Sequence, residues 1–519
     1  MSATAGHGAV KMALMFLCNP PEADQQETIA FLRGLGPCSQ ITTHASQVFL
    51  YGERVLKLKR ALRYAYLDFA TPEKRIADCE RELAINRRFT PRLYLGLRRI
   101  TRNADGALQL DGAGEAVDGL VEMRRFRDED LFSRVAEEGR ATPALVTRLA
   151  GVIAASHEKA QVASEGGAEA FGRVLALNEA ALRASAPVAP ERIEALCAGL
   201  RALLTRHAAL LDARRSRGGV RRCHGDLTLR NICLFEGEPA LFDALEFDEG
   251  LATIDVLYDL AFPLMDLWRM GARDLANLLF NRYLDVRDEA DGLPLLPLFM
   301  ATRAVVRAHV TAALAQEAPE RLPEAQGYFA LAEALLEPPQ PLLVALGGFS
   351  GSGKSTLSAH LASALGPAPG ARIHATDRIR KALHGVAATD KLPPEAYAPQ
   401  VSARVYALER DACAVTLRAS HGCIAEAVFD RAEDRAAIEA VARAADVPFA
   451  GFWLDASVAV LAHRIAGRRG DPSDADEAVM RAQVARGNEG ARWTRLDAAQ
   501  GVEALVGEVV CRTEPLAAK

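Results

Sequence analysis

Aromatic residues are scarce, at 6% of 519 positions, and neither sign of charge dominates: 62 Lys and Arg stand against 67 Asp and Glu, a formal net charge of −5. That balance argues against a polybasic coat for nucleic acid or an anionic membrane, though not against a local basic groove. Cysteines number nine, an odd count, with no repeated C-x-x-C pair. A disulfide scaffold and a Cys/His zinc cluster are therefore not expected. The thiols read as reduced and mostly buried, in a cytoplasmic protein. There is no run of about 18 apolar residues, so no membrane span is expected. The apolar stretch Met12–Leu17 after Lys11 lacks a small-residue cleavage site, and residues 1–20 read as a loose leader. What remains is a folded composition, 50% hydrophobic and 25% charged, long enough for about three structural units.

Glu337-Pro-Pro-Gln-Pro341 cannot continue a helix. It marks a joint at 338–341, dividing residues 21–337 from 342–512, with a tail over 513–519. The first part begins with strands. Gln47–Tyr51 and Arg54–Lys59 flank Gly52 as a hairpin, and another strand ends at Val121–Phe126. Helical patterns cover Thr71–Phe89, Thr142–Leu211 and Thr253–Leu335. Strands followed by helices define an α+β unit.

Phosphoryl transfer to a hydroxyl needs a lysine on the nucleotide phosphates, a carboxylate to hold it, an aspartate for the acceptor hydroxyl, and an amide and aspartate for the metal. The first part offers each in order. Lys57 lies on a predicted strand, with Lys59 as an alternative on the same face. Glu82 lies on the next helix, with Glu80 as its competitor. Then come His224-Gly-Asp226, Asn231, and Asp243 after a short apolar strand. The segment His224-Gly-Asp-Leu-Thr-Leu-Arg-Asn231-Ile, with Leu241-Phe-Asp243 downstream, resembles the aminoglycoside phosphotransferase and choline kinase branch of the protein-kinase fold. That resemblance covers about residues 35–335 and implies a two-lobed domain. It implies Asp226 as catalytic, Asn231 and Asp243 as metal ligands, Lys57 and Glu82 as the nucleotide pair, and Val121–Phe126 as the adenine hinge. One departure is plain: Thr42-Thr-His-Ala-Ser46 stands where a glycine-rich loop would be. Asp255 and Asp259 read as capping or structural residues. Arginines 214, 215, 217, 221 and 222 read as a solvated connector or, alternatively, a phosphate-attracting patch.

The second part opens on the apolar run Leu342–Leu346. It leads into Gly348-Phe-Ser350-Gly351-Ser352-Gly353-Lys354-Ser355-Thr356 and a helical pattern. This is the strand–loop–helix setting of a Walker A phosphate loop. Its backbone N–H groups and helix start bind phosphate, Lys354 reaches the β/γ-phosphates, and Ser355 is a magnesium ligand. A second strand ends at Asp377, with Arg380 three residues on. A third carries Glu426, and a later helix carries Arg464 and Arg468. The set is similar to small P-loop kinases of the gluconate kinase, polynucleotide kinase and zeta-toxin type, and implies an α/β domain with a mostly parallel sheet. It also implies Asp377 as base, Arg380 as acceptor clamp, Arg464 or Arg468 as lid arginine, and Glu426 on the metal or the acceptor. The order of the two parts resembles a bacterial family of fused phosphotransferase-like and P-loop kinase domains.

Three functions follow as expectations, all with ATP and Mg²⁺. One is a phosphotransferase, bifunctional, acting on hydroxyls of a small molecule. Another is a nucleotide-binding regulator in which a pseudokinase controls the P-loop domain. The third is a 5′-end nucleic-acid kinase, against which the charge balance and few aromatics count. Oligomeric state leaves no mark in the sequence.

Overall fold

The computed structural model describes residues 25–43, 45–64, 67–467, 473–488 and 492–517. The expected leader and Arg468 lie outside them. The chain divides into two compact units, Met1–Ala272 with Leu298–Leu336, and Arg273–Pro297 with Glu337–Lys519. The sequence reading placed all of 21–337 together. The structure instead gives Arg273–Pro297 to the second unit, because its buried asparagines are used there.

In the first unit, helix α1 (Gln26–Gly34) precedes strands β1 (Ser39–Thr42), β2 (Ser46–Tyr51) and β3 (Arg54–Lys59). Helix α2 (Pro72–Asn86) follows, then β4 (Tyr94–Arg102), β5 (Leu108–Leu110) and β6 (Glu115–Arg124). The six strands form one antiparallel sheet in the order β1-β2-β3-β6-β4-β5. Thr71 caps α2 by accepting from the Lys74 N–H, and Pro72 takes the first helical position, where no N–H is needed. The sheet's two faces feed two apolar clusters, one with Leu56, Leu58 and Leu120, the other with Val55, Val121 and Met123.

The helical half holds α3 (Pro143–Lys159), α4 (Gly167–Ser185) and α5 (Pro190–Ser216). The hairpin β7 (Ile232–Phe235) and β8 (Glu238–Leu241) comes next, followed by α6 (Val256–Arg269). The chain then leaves for the second unit through α7 (Arg273–Val286). It returns along α8 (Leu296–Leu314) and α9 (Leu322–Leu336). The segment Ala290–Leu314 is long and apolar enough to cross a membrane, but 89% of its apolar window is buried inside the protein. It is a core helix.

The second unit is built on β9 (Leu343–Gly347), which leads to α10 (Lys354–Leu361), β10 (Arg372–Ala375) and α11 (Thr376–Leu383). Then come α12 (Pro399–Arg418), β11 (Cys423–Glu426), β12 (Phe449–Asp455), α13 (Val458–Ala466), α14 (Glu477–Arg486) and β13 (Thr494–Asp497). Five strands lie parallel in the order β10-β11-β9-β12-β13. β9 is buried at every position, as expected of a central strand covered on both faces. The fold classes are those expected: a two-lobed protein-kinase-like α+β unit and an α/β P-loop unit.

Of the described cysteines, Cys511 is exposed and Cys38 half-buried; Cys79, Cys197, Cys223, Cys233, Cys413 and Cys423 are buried, and all eight are free thiols.

Candidate active sites

In the first unit, β3 points Lys57 and Lys59 to one face, two residues apart. The Lys57 Nζ lies 2.8 Å from Glu82 Oε1 on α2 and 2.8 Å from Asp243 Oδ1. Lys59 Nζ meets Asp78 Oδ2 at 2.8 Å, Glu246 Oε1 at 2.8 Å and Glu82 Oε2 at 2.5 Å. Glu82 therefore bridges both lysines. Glu80 faces outward and pairs with Arg99. Burial alone would pull the Lys57 ammonium down, but Asp243 and then Glu82 hold it above the ordinary lysine range. The same cations keep buried Glu82 below the ordinary carboxylate range against the opposing effect of burial. A buried pair is costly to break, about 3–5 kcal/mol when one partner is removed. The network thus holds α2 against the sheet.

The catalytic-loop candidates are pinned from behind. Asn231 Nδ2 donates to the Asp226 backbone carbonyl at 2.8 Å and to Asp226 Oδ2 at 3.0 Å. Asp259 on α6 accepts from the N–H groups of His224 (3.1 Å) and Gly225 (2.9 Å) and from the His157 ring (3.1 Å). Asp266, about two helix turns further on, accepts from the Leu229 N–H at 3.0 Å. Gly225 has φ +86°, and a Cβ there would come within 2.9 Å of Ala252 Cβ, so glycine is required. Asp243 also sits in the left-handed region, at φ +56°. Its N–H donates to the Tyr94 hydroxyl at 3.0 Å, and the next N–H donates to Asn86 Oδ1 at 2.9 Å. Sequence reasoning missed Tyr94, Asn86 and Asp266. Only the fold joins them to Asp243 and the loop.

His157, Cys223 and Asp259 bring ligand-type atoms within 4.8 Å of one another. The Asp259 oxygens already serve the loop, and the Cys223 thiol donates to the Ile254 carbonyl. The group is an anchor. Asp255 caps α6 through the Leu257 N–H and binds the Arg214 guanidinium at 2.7 and 2.9 Å. Arg214 is buried; Arg221 donates to the carbonyls of His157 and Glu158, and Arg222 to that of Leu245. These three are neither a solvated connector nor a phosphate patch, because their guanidiniums satisfy carbonyls and a buried carboxylate.

Beside Lys57 and Asp243 lies a cleft of about 340 Å³, lined by Val48, Leu50, Val55, Met123, Phe126 and Phe242 among others. An apolar slot next to a lysine–carboxylate pair suits a nucleotide base and its phosphates. At the β1–β2 turn, Thr43 Oγ1 donates to the Ser46 carbonyl at 2.9 Å and accepts from the Ser46 N–H at 2.9 Å. That serine–threonine turn replaces a glycine-rich one.

In the second unit, the loop after β9 wraps the start of α10. Gly348 has φ +145°, and a Cβ there would come within 2.8 Å of the Leu454 carbonyl. Gly351 (φ +89°) and Gly353 (φ +98°) are also left-handed. Lys354 Nζ donates to the Gly348 carbonyl at 2.8 Å, folded back over its own loop. The Ser350 N–H donates to Gln483 Oε1 at 2.8 Å. The Ser355 hydroxyl donates to Glu426, and Ser358 Oγ donates to its other oxygen at 2.6 Å. Arg464 on α13 donates to the Ser352 carbonyl at 3.0 Å and the Ala498 carbonyl at 2.6 Å. It braces the phosphate loop rather than riding on a separate lid. Gln483 and Ser358 carry no motif and were missed.

Asp377 lies in the first turn of α11, two residues beyond the end of β10 at Ala375, and not on the strand end expected for it. Burial pushes its carboxyl up, while the Ser473 hydroxyl and the Lys354 charge pull it back. Arg380 donates to the Ala396 carbonyl at 2.7 Å, with its guanidinium 4.8 Å from the Tyr397 ring. A cleft of about 930 Å³ joins the phosphate loop, Thr356, Asp377, Arg380, Glu426 and Arg464.

The donor sets fit magnesium in both units: Asn231 with Asp243, and Ser355 with Glu426, are all-oxygen donors of few carboxylates. When bound, the ion would neutralise phosphate charge.

The second unit has the α/β fold of a P-loop domain, and the first has a protein-kinase-like fold. A family model described as an AAA domain matches residues 343–489. An uncharacterized protein of Mycobacterium tuberculosis and one of Mycobacterium bovis are each 29% identical over 477 residues, covering 90% of this chain and 93% of theirs. Among solved structures, a gluconokinase from Sinorhizobium meliloti is 21% identical, covering 34% of this chain and 95% of its own, with a TM-score of 0.24. A choline/ethanolamine kinase family protein from Mesorhizobium loti is 15% identical, covering 60% of this chain and 95% of its own, with a TM-score of 0.37.

Proposed function

We propose that this chain is an ATP-dependent phosphotransferase with two transfer sites, each moving the γ-phosphoryl group of ATP to a hydroxyl of a small molecule. One observation carries the reading: a single cleft of the second unit joins Lys354 and Asp377, and in the first unit Glu82 and Asp243 hold Lys57 beside an apolar cleft while Asn231 orients Asp226. In the first unit the acceptor oxygen attacks the γ-phosphorus, the bond to the β–γ bridging oxygen breaks, and ADP leaves. Asp226, oriented by Asn231, takes the hydroxyl proton. Lys57 steadies the phosphates, and Glu82 fixes Lys57. In the second unit Asp377 takes that proton. Burial raises its carboxyl and so makes it a stronger base than a free aspartate. Lys354 leaves the Gly348 carbonyl to reach the incoming phosphates, and Arg464 keeps the loop in shape. Such catalysis is almost wholly positioning and electrostatics.

The test uses γ-labelled ATP and a cell extract freed of protein. Asp226→Ala and Lys354→Ala are each expected to abolish a different labelled product, by at least about 100-fold. Two products untouched by either change would overturn the reading. A product lost only in Lys354→Ala would support the alternative in which the first unit regulates the second. The serine–threonine turn in place of a glycine loop favours that alternative.

A further inference from the structure

Gln483 meets the phosphate loop of the second unit from outside the loop's own motif. It stands on α14, and its Oε1 accepts from the Ser350 N–H at 2.8 Å. Both residues are buried, and both line the large cleft with Lys354 and Asp377. The same peptide group is held from its carbonyl side. Lys354 Nζ donates to the Phe349 carbonyl at 3.3 Å as well as to that of Gly348 at 2.8 Å. The Ser350 N–H therefore lies at the end of the loop that the Lys354 ammonium reaches, which is the β/γ-phosphate end of a Walker A loop. Phe349 steadies that peptide by packing edge-on to Trp453, with ring centroids 5.2 Å apart.

Helix α14 presents this amide on a firm support. Asp476 caps the helix by accepting from the Val479 N–H at 2.9 Å, and Met480 is fully buried. Arg486, about one turn beyond Gln483, binds Asp430 at 2.8 Å, and both of these also line the cleft. What can still turn is the carboxamide, which has an acceptor end and a donor end. The acceptor end is used; among the described residues Nε2 has no partner. A buried amide with its donor end unspent, beside a phosphate loop, is suited to an anionic ligand.

We infer that Gln483 binds the terminal phosphoryl group of the nucleotide, and is the residue by which the second unit tells a nucleoside triphosphate from a diphosphate. A phosphoryl oxygen accepts from an N–H more strongly than a neutral amide oxygen does, so it takes the Ser350 N–H from Oε1. The carboxamide then turns about its last bond and donates from Nε2 to the same phosphoryl group. A diphosphate lacks that group and leaves Gln483 on Ser350. A carboxylate in this place could only accept, and would repel the phosphate. The inference rests on the reading of the second unit as an ATP site, given above.

The experiment measures, by calorimetry on the full chain with magnesium, the affinity for ADP and for a non-hydrolysable ATP analogue. Binding that Lys354→Ala removes is assigned to the second unit. At that site Gln483→Glu is expected to weaken the analogue at least about tenfold and to leave ADP within about twofold of the native chain. Gln483→Met fills similar space without polar atoms, and should weaken the analogue about fivefold while sparing ADP. Melting temperature verifies that each variant is folded. Equal losses for the analogue and ADP would show Gln483 to be a brace of the loop, and would overturn the inference. So would native affinity for the analogue in Gln483→Glu, because a carboxylate accepts from the Ser350 N–H at least as well as an amide. In both cases Lys354-dependent binding would leave the ATP reading standing. No nucleotide binding that depends on Lys354 would overturn that reading, and the inference with it.

Discussion

Glu409, on α12, is fully buried beside Glu426. Burial first, and the Glu426 charge second, push its carboxyl well above the ordinary range. Between the ordinary glutamate value and the raised folded-state value, the folded chain keeps a proton that the unfolded chain gives up. The stabilisation from that difference is complete below the ordinary glutamate value and drains away as pH rises toward the folded-state value. Glu409→Gln imitates the protonated form at every pH. The melting temperature of the variant minus that of the native chain is expected to grow from about pH 5 to about pH 8. A difference that stays flat or shrinks would show that Glu409 is ionised in the fold. At this scale the sequence was readable where chemistry is packed into a short motif. His224 to Asp243 and Gly348 to Thr356 could be assigned because their spacing is itself the signal. Tyr94 reaches Asp243 across 149 positions, and Gln483 reaches Ser350 across 133. Neither carries a local pattern, so only the folded chain reveals them.

Among the elements, β10 shows what patterning leaves out. It stands at the edge of the parallel sheet, where unpaired N–H and C=O groups invite association. Here α7 covers that edge. Asn281 Oδ1 accepts from the Ile373 N–H at 2.8 Å and from Arg372 Nη1 at 3.0 Å, while its Nδ2 donates to the Ala371 carbonyl at 3.2 Å. Asn277 adds bonds to the Pro369 and Ala371 carbonyls. Asp285 binds Arg372 at 2.8 Å and Arg378 at 3.2 Å. Asn281→Ala leaves the buried Ile373 N–H unmet, at about 1–3 kcal/mol, while the Ala371 carbonyl keeps Asn277. Hydrogen exchange should show the Ile373 amide losing about tenfold or more of its protection, with β12 far less affected. Unchanged protection at Ile373 would mean that the strand edge does not depend on α7. From sequence, α7 was merely part of the helical pattern over Thr253–Leu335. Its asparagines are the mark of an edge cover, but two amides four residues apart also suit an exposed helix face, so the pattern alone could not choose.

For the whole molecule, the proline-rich joint is where a sequence reader would cut, and the cut is informative. The chain passes from the first unit to the second at Arg273, back at Leu298, and out again at Glu337. A chain severed at 338–341 therefore still carries, on its N-terminal piece, the segment that completes the sheet edge of the C-terminal piece. That segment buries Leu279, Phe280, Tyr283 and Leu284 as well as its asparagines, and Phe280 packs on His421 with ring centroids 5.3 Å apart. At about 1.5–3 kcal/mol for each large apolar side chain, together with the hydrogen bonds, the embrace should outlast the loss of the peptide link. With a protease site placed between Pro338 and Pro341, the two fragments are expected to co-elute after cleavage and to part only in denaturant. The phosphate loop in the cleaved protein should keep its affinity for ATP within about threefold, because the elements that shape it are all still present. Fragments that separate without denaturant would show that residues 273–297 hold the second unit less firmly than their burial implies. In that case the C-terminal piece should also expose β10 and aggregate, as an uncovered edge strand does.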